Sequence, residues 1–425
     1  MKIFYGWIIV GIGIVVTCIG MGAMLSLSIF LQPMTQAMGW TRTGISTAAL
    51  VNWLAMGVGA FLWGALSDRL GTRTVLLLGG GLLGLGLVTA SRATTLGQFQ
   101  LLFGVLVGLA SGSFYTPLTA TTTRWFTEHR SLAVALVSAG IGLGSSTVGP
   151  LARYLITAYD WRTAMFVLGN VAWLIIIPAA LLVREPPAAL GAGAPGMRGA
   201  DGRELTVGQA LRTPQFAAIA LAYFACCAAH SGPIFHMVTH AIDRGITAMA
   251  AVTVLSVAGL ASLGGKIVCG LIADRVGAKR TLVVGLAIQA LAITFYIVTR
   301  DLASFYALGV VFGFAYGGVM PLYAILVREY FGARIMGTAF GAIHASLPPP
   351  APTSTRSITG VVALVSTLGM ALGPPVGGWL FDTYGSYSWL YLSSFAIGLA
   401  AVAIASTFRT PGHLVAAVAS PSPAR

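Results

Sequence analysis

Twelve apolar runs constrain this chain more than any other feature of its sequence. Each is long enough to cross the roughly 30 Å hydrocarbon core of a bilayer as a helix. A helix satisfies its own backbone polar groups, so runs of this length are typical of membrane-spanning helices. Only 8% of the 425 residues are charged, against roughly 25% in soluble domains, which excludes a soluble globular protein. We therefore predict an all-α membrane protein with twelve transmembrane helices, at 5–32, 45–66, 74–91, 98–121, 132–156, 163–183, 214–240, 249–272, 281–299, 302–326, 358–381 and 387–408.

The basic residues predict the orientation of the chain. With loops alternating between sides, 16 of the 24 Lys and Arg residues fall on one side and 6 on the other. Cytoplasmic loops are enriched in Lys and Arg, so both termini are expected in the cytoplasm and the protein in the cytoplasmic (inner) membrane as a multi-pass chain. The net charge of +13 follows from this topology. No basic stretch is interleaved with exposed aromatic residues, so nucleic acid is not an expected partner.

A polar stretch from residue 184 to residue 213 divides the runs six and six. The predicted organisation is a first six-helix bundle over 1–183, a cytoplasmic central loop over 184–213, a second bundle over 214–410 and a cytoplasmic tail over 411–425. The second half carries about 19 extra residues, including three consecutive prolines at 348–350 that cannot lie within a helix. We assign 332–357 to an enlarged loop between helices 10 and 11, either a tolerated insertion, which we favour, or a segment that binds a partner.

One loop motif occurs twice, 206 residues apart. It follows the second run as Gly64-Ala-Leu-Ser-Asp68-Arg69-Leu-Gly71-Thr-Arg73 and the eighth as Gly270-Leu-Ile-Ala-Asp274-Arg275-Val-Gly277-Ala-Lys279. The repeat indicates two parallel halves related by a pseudo-twofold axis along the membrane normal, which is a known plan of transporters.

The repeated motif, with Gly149-Pro150 and three preceding glycines on the fifth run, resembles the major facilitator superfamily over nearly the whole chain. The resemblance implies two pseudo-symmetric six-helix bundles that work by alternating access. It also implies that both loops act as a conformational latch on the outward-open state, although a basic turn that only sets topology is the alternative. The latch residues would be Gly64, Asp68, Arg69, Gly71, Arg73, Asp274, Arg275, Gly277 and Lys279. No enzyme motif or nucleotide-binding loop is present, so neither catalysis nor ATP-driven transport is expected.

Lys266 is a charge that lies well inside a predicted span. It precedes Asp274 by eight residues, which places it about 12 Å from the end of the eighth helix. All eleven acidic residues fall in loops or at helix ends, so a cationic substrate is not favoured. Lys266 either extends its side chain to the headgroups or binds an anion, and the anion is favoured because the stem covers only about half of that distance.

The position of Lys266 sharpens the resemblance to monocarboxylate transporters and the oxalate/formate antiporter group. These proteins keep a basic residue, usually Arg, eight positions before the loop aspartate. Lys presents a point charge, which suits a small or singly bound carboxylate. The resemblance also implies substrate contacts near Tyr115 and Tyr316, and Thr119 and Tyr323 share their helix faces. Polar contact between helices is the alternative for all four.

Three histidines on the seventh run, His230, His236 and His240, titrate near neutral pH in their ordinary state. We consider them for proton coupling, gating, substrate contact or packing. No cysteine or carboxylate completes a metal site with them, so no metal is expected. In the animal monocarboxylate transporters an aspartate stands four residues before the helix-8 arginine, but here that position is Ser262. Their proton relay is therefore not carried over.

The sequence thus predicts a secondary active transporter that moves a small organic anion, a monocarboxylate, by proton symport or anion exchange. The expected partners are this anion, protons or a counter-anion, and membrane lipids, and the protein is expected to be a monomer without a cofactor. One alternative is an exporter of apolar or anionic compounds. Another is a membrane sensor that keeps the fold without moving solute.

Overall fold

The computed structural model describes residues 4–126, 129–186, 212–331 and 358–408, with the side chains of 68, 130, 131, 328 and 358–365 outside that description. These ranges contain helices and no strand. The predicted enlarged loop over 332–357, the tail over 411–425 and most of the central loop over 184–213 lie outside the described residues. The twelve long helices are α1 (Tyr5–Met38), α2 (Arg42–Leu70), α3 (Thr72–Ala90), α4 (Leu96–Trp125), α5 (Arg130–Ala158), α6 (Trp161–Leu181), α7 (Pro214–Asp243), α8 (Ala248–Val276), α9 (Ala278–Phe295), α10 (Leu302–Phe331), α11 (Ile358–Tyr384) and α12 (Ser388–Ser406).

These helices confirm the predicted all-α membrane fold. Eleven of them are long and apolar enough to cross a membrane on the evidence of the described residues, and α11, with 27 residues, completes the set. Most of these helices extend several residues beyond the predicted apolar runs, because their first and last turns include polar residues. Thr41, Asp160 and Thr213 each accept a hydrogen bond from a backbone N–H in the first turn of α2, α6 and α7. At α10, the Ser304 hydroxyl and backbone N–H hold the pKa of the Asp301 carboxyl below its ordinary value.

Two helices of the first half are interrupted. α1 consists of Tyr5–Leu25 and Leu27–Met38, joined at Ser26. α4 begins with a short α-helical turn and continues as a π-helix over Gln100–Val107 and an α-helical turn over Gly108–Ser111. After a break at residues 112–114, its last α-helical segment begins at Tyr115. π-helical segments within α-helices are frequent at functional sites. The interruption places Tyr115 at the first position of a new helical segment.

The two halves repeat the same packing between helices. Gly108 on α4 lies against the backbone of Asn52 on α2, and Gly313 on α10 lies against the backbone of Ala258 on α8. These pairs are separated by about the same number of residues as the two loop motifs. Helices in a membrane gain little from hydrophobic burial against each other, so small residues that allow close backbone contact hold them together. The predicted pseudo-symmetry is therefore visible in the contacts as well as in the motif.

A single glycine forms each of the two motif turns. Gly71 separates α2 from α3 with φ 79° and ψ 156°, and Gly277 separates α8 from α9 with φ 97° and ψ 142°. This backbone region is close to one that only glycine occupies without strain. Each turn reverses the chain in one residue, so the ends of the joined helices meet directly. We call this end of the molecule the motif end.

The halves meet along two seams, between α5 and α8 and between α2 and α11. On the first seam, Gly142 lies against the carbonyl oxygen of Gly259, and the Ser146 hydroxyl donates to the carbonyl oxygen of Ser256 at 2.9 Å. On the second, Gly378 lies so close to the backbone of Arg42 that a side chain at position 378 would not fit. The glycines of α5 therefore make close contacts on two sides. Gly142 faces α8 of the other half, and Gly140 and Gly144 face α1 of their own half.

We predict that Gly277→Ala destabilises the protein, because alanine in this backbone region costs about 1–3 kcal/mol. The apparent melting temperature of detergent-purified protein should fall. Gly270→Ala, within α8 before this turn, is the matched control, since a Cβ there meets nothing within 4 Å. Equal melting temperatures for both variants would contradict the prediction.

Candidate substrate site

Lys266 lies on the face of α8 that forms the seam with α5. That face carries Ser256, Gly259 and Leu263, which contact Ser146 or Gly142 of α5, and Lys266 follows three residues after Leu263 in the helical repeat. It therefore lies one turn beyond the tight contacts, toward the motif end. Lys266 is partly exposed and has no hydrogen bond or ion pair with any described residue. An unpaired cation at this place is available to an anion.

Tyr115 lies on the opposite side of the same seam. Its hydroxyl is 2.9 Å from the hydroxyl of Ser138, which lies one turn from Gly142 toward the motif end. Ser138 also donates to the carbonyl oxygen of Val134 at 2.9 Å, so Tyr115 is the donor between the two hydroxyls. The Tyr115 side chain remains exposed. The structure therefore brings Tyr115 to α5, at the same level of the seam as Lys266 on α8.

Thr119 directs its hydroxyl back to its own helix. The hydroxyl lies 2.9 Å from the carbonyl oxygen of Tyr115 and 3.0 Å from that of Thr116. Because serine and threonine hydroxyls often bond within the helix in this way, the contact explains a threonine inside an apolar helix. Substrate binding by Thr119 stays a prediction.

Tyr316 and Tyr323 both face α7, as their shared helix face requires. The Tyr316 ring lies 4.8 Å from the His230 ring, centroid to centroid. Tyr323 is buried, stacks on Tyr223 with centroids 4.2 Å apart, and donates to the carbonyl oxygen of Ala222 at 3.2 Å. Tyr316 therefore belongs to a polar cluster between α7 and α10, and Tyr323 to a packed contact nearer the motif end.

His230 is buried at the centre of that cluster. Its Nδ1 lies 3.4 Å from Gln289 Nε2 and 3.9 Å from Cys226 Sγ. Its Nε2 is enclosed and has no partner within the described chain. A buried imidazole nitrogen without a partner is costly, so His230 has capacity for one further hydrogen bond beside Tyr316.

His236 and His240 lie nearer the other end of α7 and are bonded to neighbouring elements. His236 Nδ1 is 3.0 Å from the Tyr387 hydroxyl and its Nε2 is 2.8 Å from the carbonyl oxygen of Pro374. His240 Nε2 is 3.0 Å from the carbonyl oxygen of Tyr296. These contacts tie α7 to α9, α11 and the turn before α12. Proton coupling through either histidine stays a prediction.

The predicted latch residues surround the two glycine turns. Arg69, Arg73, Asp274 and Arg275 are exposed, Gly64 is buried within α2, and the side chain of Asp68 lies outside the described part of the chain. Lys279 Nζ donates to the carbonyl oxygen of Phe408, after α12, at 2.5 Å. The structure thus joins one latch residue to α12.

Glu185 is a neighbour of the first latch turn that sequence reasoning assigned only to the polar stretch. Its carboxylate accepts from the backbone N–H of Thr72 at 3.0 Å and contacts Arg124 Nη2 at 3.3 Å. The carboxylate therefore sits at the N-terminus of α3, where a helix favours negative charge. The position of Glu185 in the sequence was the available signal for this contact. Glu185 lies just after an apolar run, and that run ends on the side of the membrane where α3 begins.

A second cluster that sequence reasoning missed lies at the end of the seams opposite the motif end. Arg42 at the start of α2 pairs with Asp243 at the end of α7, at 2.7 Å. In the sequence, Arg42 precedes the second apolar run and Asp243 follows the seventh, and 201 residues separate them. Nothing in the local sequence indicated that they meet.

The sequence model of the Major Facilitator Superfamily matches residues 12–347, and the chain belongs to this superfamily. It is a multi-pass membrane transporter and not an enzyme, as predicted. It is similar to Monocarboxylate transporter 13 of Bos taurus, 27% identical over 402 residues that cover 93% of this chain and 87% of that protein. It is also similar to Monocarboxylate transporter 11 of Homo sapiens, 28% identical over 407 residues, with 92% and 80% covered. The uncharacterized MFS-type transporter YhjX of Escherichia coli (strain K12) is 25% identical over 340 residues, with 78% and 83% covered.

We predict that Tyr323→Phe lowers stability and leaves the KM of transport unchanged, because its hydroxyl bonds to the backbone of α7. A buried hydrogen bond of this kind contributes about 1 kcal/mol, so the melting temperature should fall by a few degrees. Tyr115→Phe, which removes an exposed hydroxyl, should raise the KM with little change in melting temperature. A raised KM for Tyr323→Phe at unchanged stability would instead assign its hydroxyl to the substrate.

Proposed function

We propose that this transporter carries a small organic anion, a monocarboxylate, with Lys266 binding the carboxylate group. The observation that carries the proposal is an unpaired cation inside a membrane-spanning helix, on a seam between the two halves. Transporters with two such halves bind their substrates near the bilayer midplane at the interface of the repeats. On this ground we assign Lys266 to the substrate site.

The charge distribution supports an anion. A lysine at the centre of a membrane helix costs roughly 2.5–3.5 kcal/mol on insertion scales, so it is expected to find a negative partner. Among the described carboxylates, Asp243, Asp274, Glu329 and Asp382 lie in the last turns of their helices, and Asp160, Glu185 and Asp301 lie between helices. A substrate carboxylate would supply the missing charge during each transport cycle.

The surroundings of Lys266 support a small substrate. Lysine offers a compact charge where arginine would offer two parallel donors. On releasing Ser138, the Tyr115 hydroxyl across the seam would donate a second hydrogen bond to the carboxylate, and we assign Tyr316 to the part of the substrate beyond it. Tyrosine rings also enclose short apolar tails. Relatives whose names include monocarboxylate transporter agree with this substrate class.

The orientation and the domain limits belong to the same proposal. We place the motif end in the cytoplasm with both termini, which follows from the excess of Lys and Arg in its loops. The bundles then span 1–183 and 214–410, and the end of the seam nearer Lys266 faces the cytoplasm. The Arg42–Asp243 pair lies at the outer end.

Substitution of Lys266 tests the anion site. Lys266→Ala should raise the KM for short monocarboxylates about tenfold or more in proteoliposomes, because a hydrogen bond to a charged group contributes about 1.5–3 kcal/mol. Lys266→Arg should retain part of the uptake, since it keeps the charge. Arg300→Ala, which removes an exposed cation between α9 and α10, is the matched control. Normal uptake by Lys266→Ala of every acid that the parent carries would overturn the proposal.

Counterflow in proteoliposomes separates the alternatives. A carrier loaded with unlabelled acid should accumulate labelled acid, whereas a sensor would bind ligand without exchange. An exporter of apolar compounds would move labelled apolar solutes and ignore small acids. Proton symport predicts uptake driven by an imposed pH gradient with no internal anion, and anion exchange predicts uptake only when an internal anion is present.

A further inference from the structure

Arg42 joins the two halves through a two-pronged ion pair. Its Nη1 and Nη2 donate to the two carboxylate oxygens of Asp243 at 2.7 and 3.0 Å. Nη1 also donates to the Tyr387 hydroxyl at 2.8 Å, and the guanidinium carbon lies 3.6 Å from the centroid of the Phe381 ring. The side chains of Arg42 and Asp243 are 11% and 26% exposed. Because bidentate pairs that are partly buried are less screened than surface pairs, this contact holds the helices together.

A second carboxylate from the other half binds the same turn of α2. Asp382 on α11 accepts from the backbone N–H of Arg42 at 3.2 Å and of Thr43 at 2.8 Å, and from the Thr43 hydroxyl at 2.6 Å. The first N–H groups of a helix have no partner within the helix. Asp382 therefore caps α2 from across the seam, at the end where a helix favours negative charge.

Tyr387 extends the network to the interior. Its oxygen accepts from Arg42, so its own proton is directed to Nδ1 of His236 at 3.0 Å. Nε2 of His236 then carries the ring proton and donates to the carbonyl oxygen of Pro374 at 2.8 Å. This tautomer is assigned from the hydrogen-bond partners. Neutral His236 is thus the inner support of the contact, and we call Arg42, Thr43, Asp243, Asp382 and Tyr387 the Arg42 clamp.

The contacts between the halves show which end the clamp closes. The hydrogen bonds between described residues of different halves lie in the clamp and in the middle of the α5–α8 seam, where Ser145 and Ser146 meet Ser256. Glu185 and Lys279 at the motif end bond within their own halves. The structure is therefore held closed at the clamp.

We propose that the Arg42 clamp is the gate at this end of the transport pathway, and that α2 must release Asp243 and Asp382 before the cavity opens there. The inference rests on transport by alternating access and is independent of the substrate assigned to Lys266. Arg42, Tyr387 and His236 act as positioning residues, since they set which end is open and do not contact the solute at Lys266.

Labelling of a cysteine on the seam tests the gate without a substrate. Val252 on α8 is fully buried and lies next to Gly149 of α5, near the clamp end. Val252→Cys in purified, reconstituted protein should react slowly with a water-soluble maleimide. Adding Arg42→Ala or Asp243→Asn should speed the reaction by about tenfold or more, because removing one partner of a buried charge pair leaves the other unpaired. The same variants without Val252→Cys give the background from the native cysteines.

Two further variants make the test specific. Tyr387→Phe keeps the ring but removes the hydroxyl between Arg42 and His236, and should produce a smaller increase. Asp301→Asn removes an acidic helix cap at the same end that binds only Ser304 of its own half, and should leave the labelling rate unchanged. Size-exclusion profiles and melting temperatures identify any variant that has unfolded, and Asp243→Asn, which preserves shape, serves if Arg42→Ala does not fold.

Two results would overturn the gate. One is a labelling rate in folded Asp243→Asn and Arg42→Ala equal to that of the parent. The other is an equal increase in Asp301→Asn, which would indicate general loosening of this end. Loss of monocarboxylate transport by Lys266→Ala is measured separately, so failure of the anion proposal and failure of the gate are distinguishable.

Discussion

Close contact between helix backbones is the interaction on which the rest of this structure depends. Lipid competes equally for apolar side chains, so helices in a bilayer associate where small residues let their backbones approach. Gly108 with Asn52, and Gly313 with Ala258, provide such contacts in the two halves. The same device forms the seam between the halves at Gly142 and Gly259. Thus one kind of contact builds each half and also the seam between them.

The distribution of charge is the basis of the function proposed for those halves. Bilayer interiors disfavour isolated charge, and the described carboxylates lie at helix ends or between helices. Lys266 departs from this rule on the seam, and the Arg42 clamp concentrates three charges at one end of it. A carrier needs a binding site whose charge is paired only when the solute is bound. It also needs gates whose charged groups are paired only when the gate is closed. In the functions proposed above, the unpaired Lys266 has the first property, and Arg42, paired with Asp243, has the second.

Much of the fold was predictable because it depends on local sequence. Apolar runs must form helices in a membrane, and the repeated motif predicts matching turns, which appear at Gly71 and Gly277. Helical spacing also placed Tyr316 and Tyr323 on one face correctly, but it did not show that Tyr323 bonds to α7. The histidines show the same limit. Their position on α7 followed from the sequence, whereas the bonds of His236 to Tyr387 and Pro374 depend on how α11 and α12 pack.

The sequence by itself determined the membrane class, the two-fold repeat and the presence of a cation well within the eighth span, because length, apolarity and periodicity act over neighbouring residues. Only the tertiary structure decided that Lys266 faces a seam opposite Tyr115, and that Arg42 meets Asp243 across 201 residues of chain. Contacts of that kind depend on the rotation and tilt of whole helices. Those are set by the sum of many small packing contacts, which no single stretch of sequence contains.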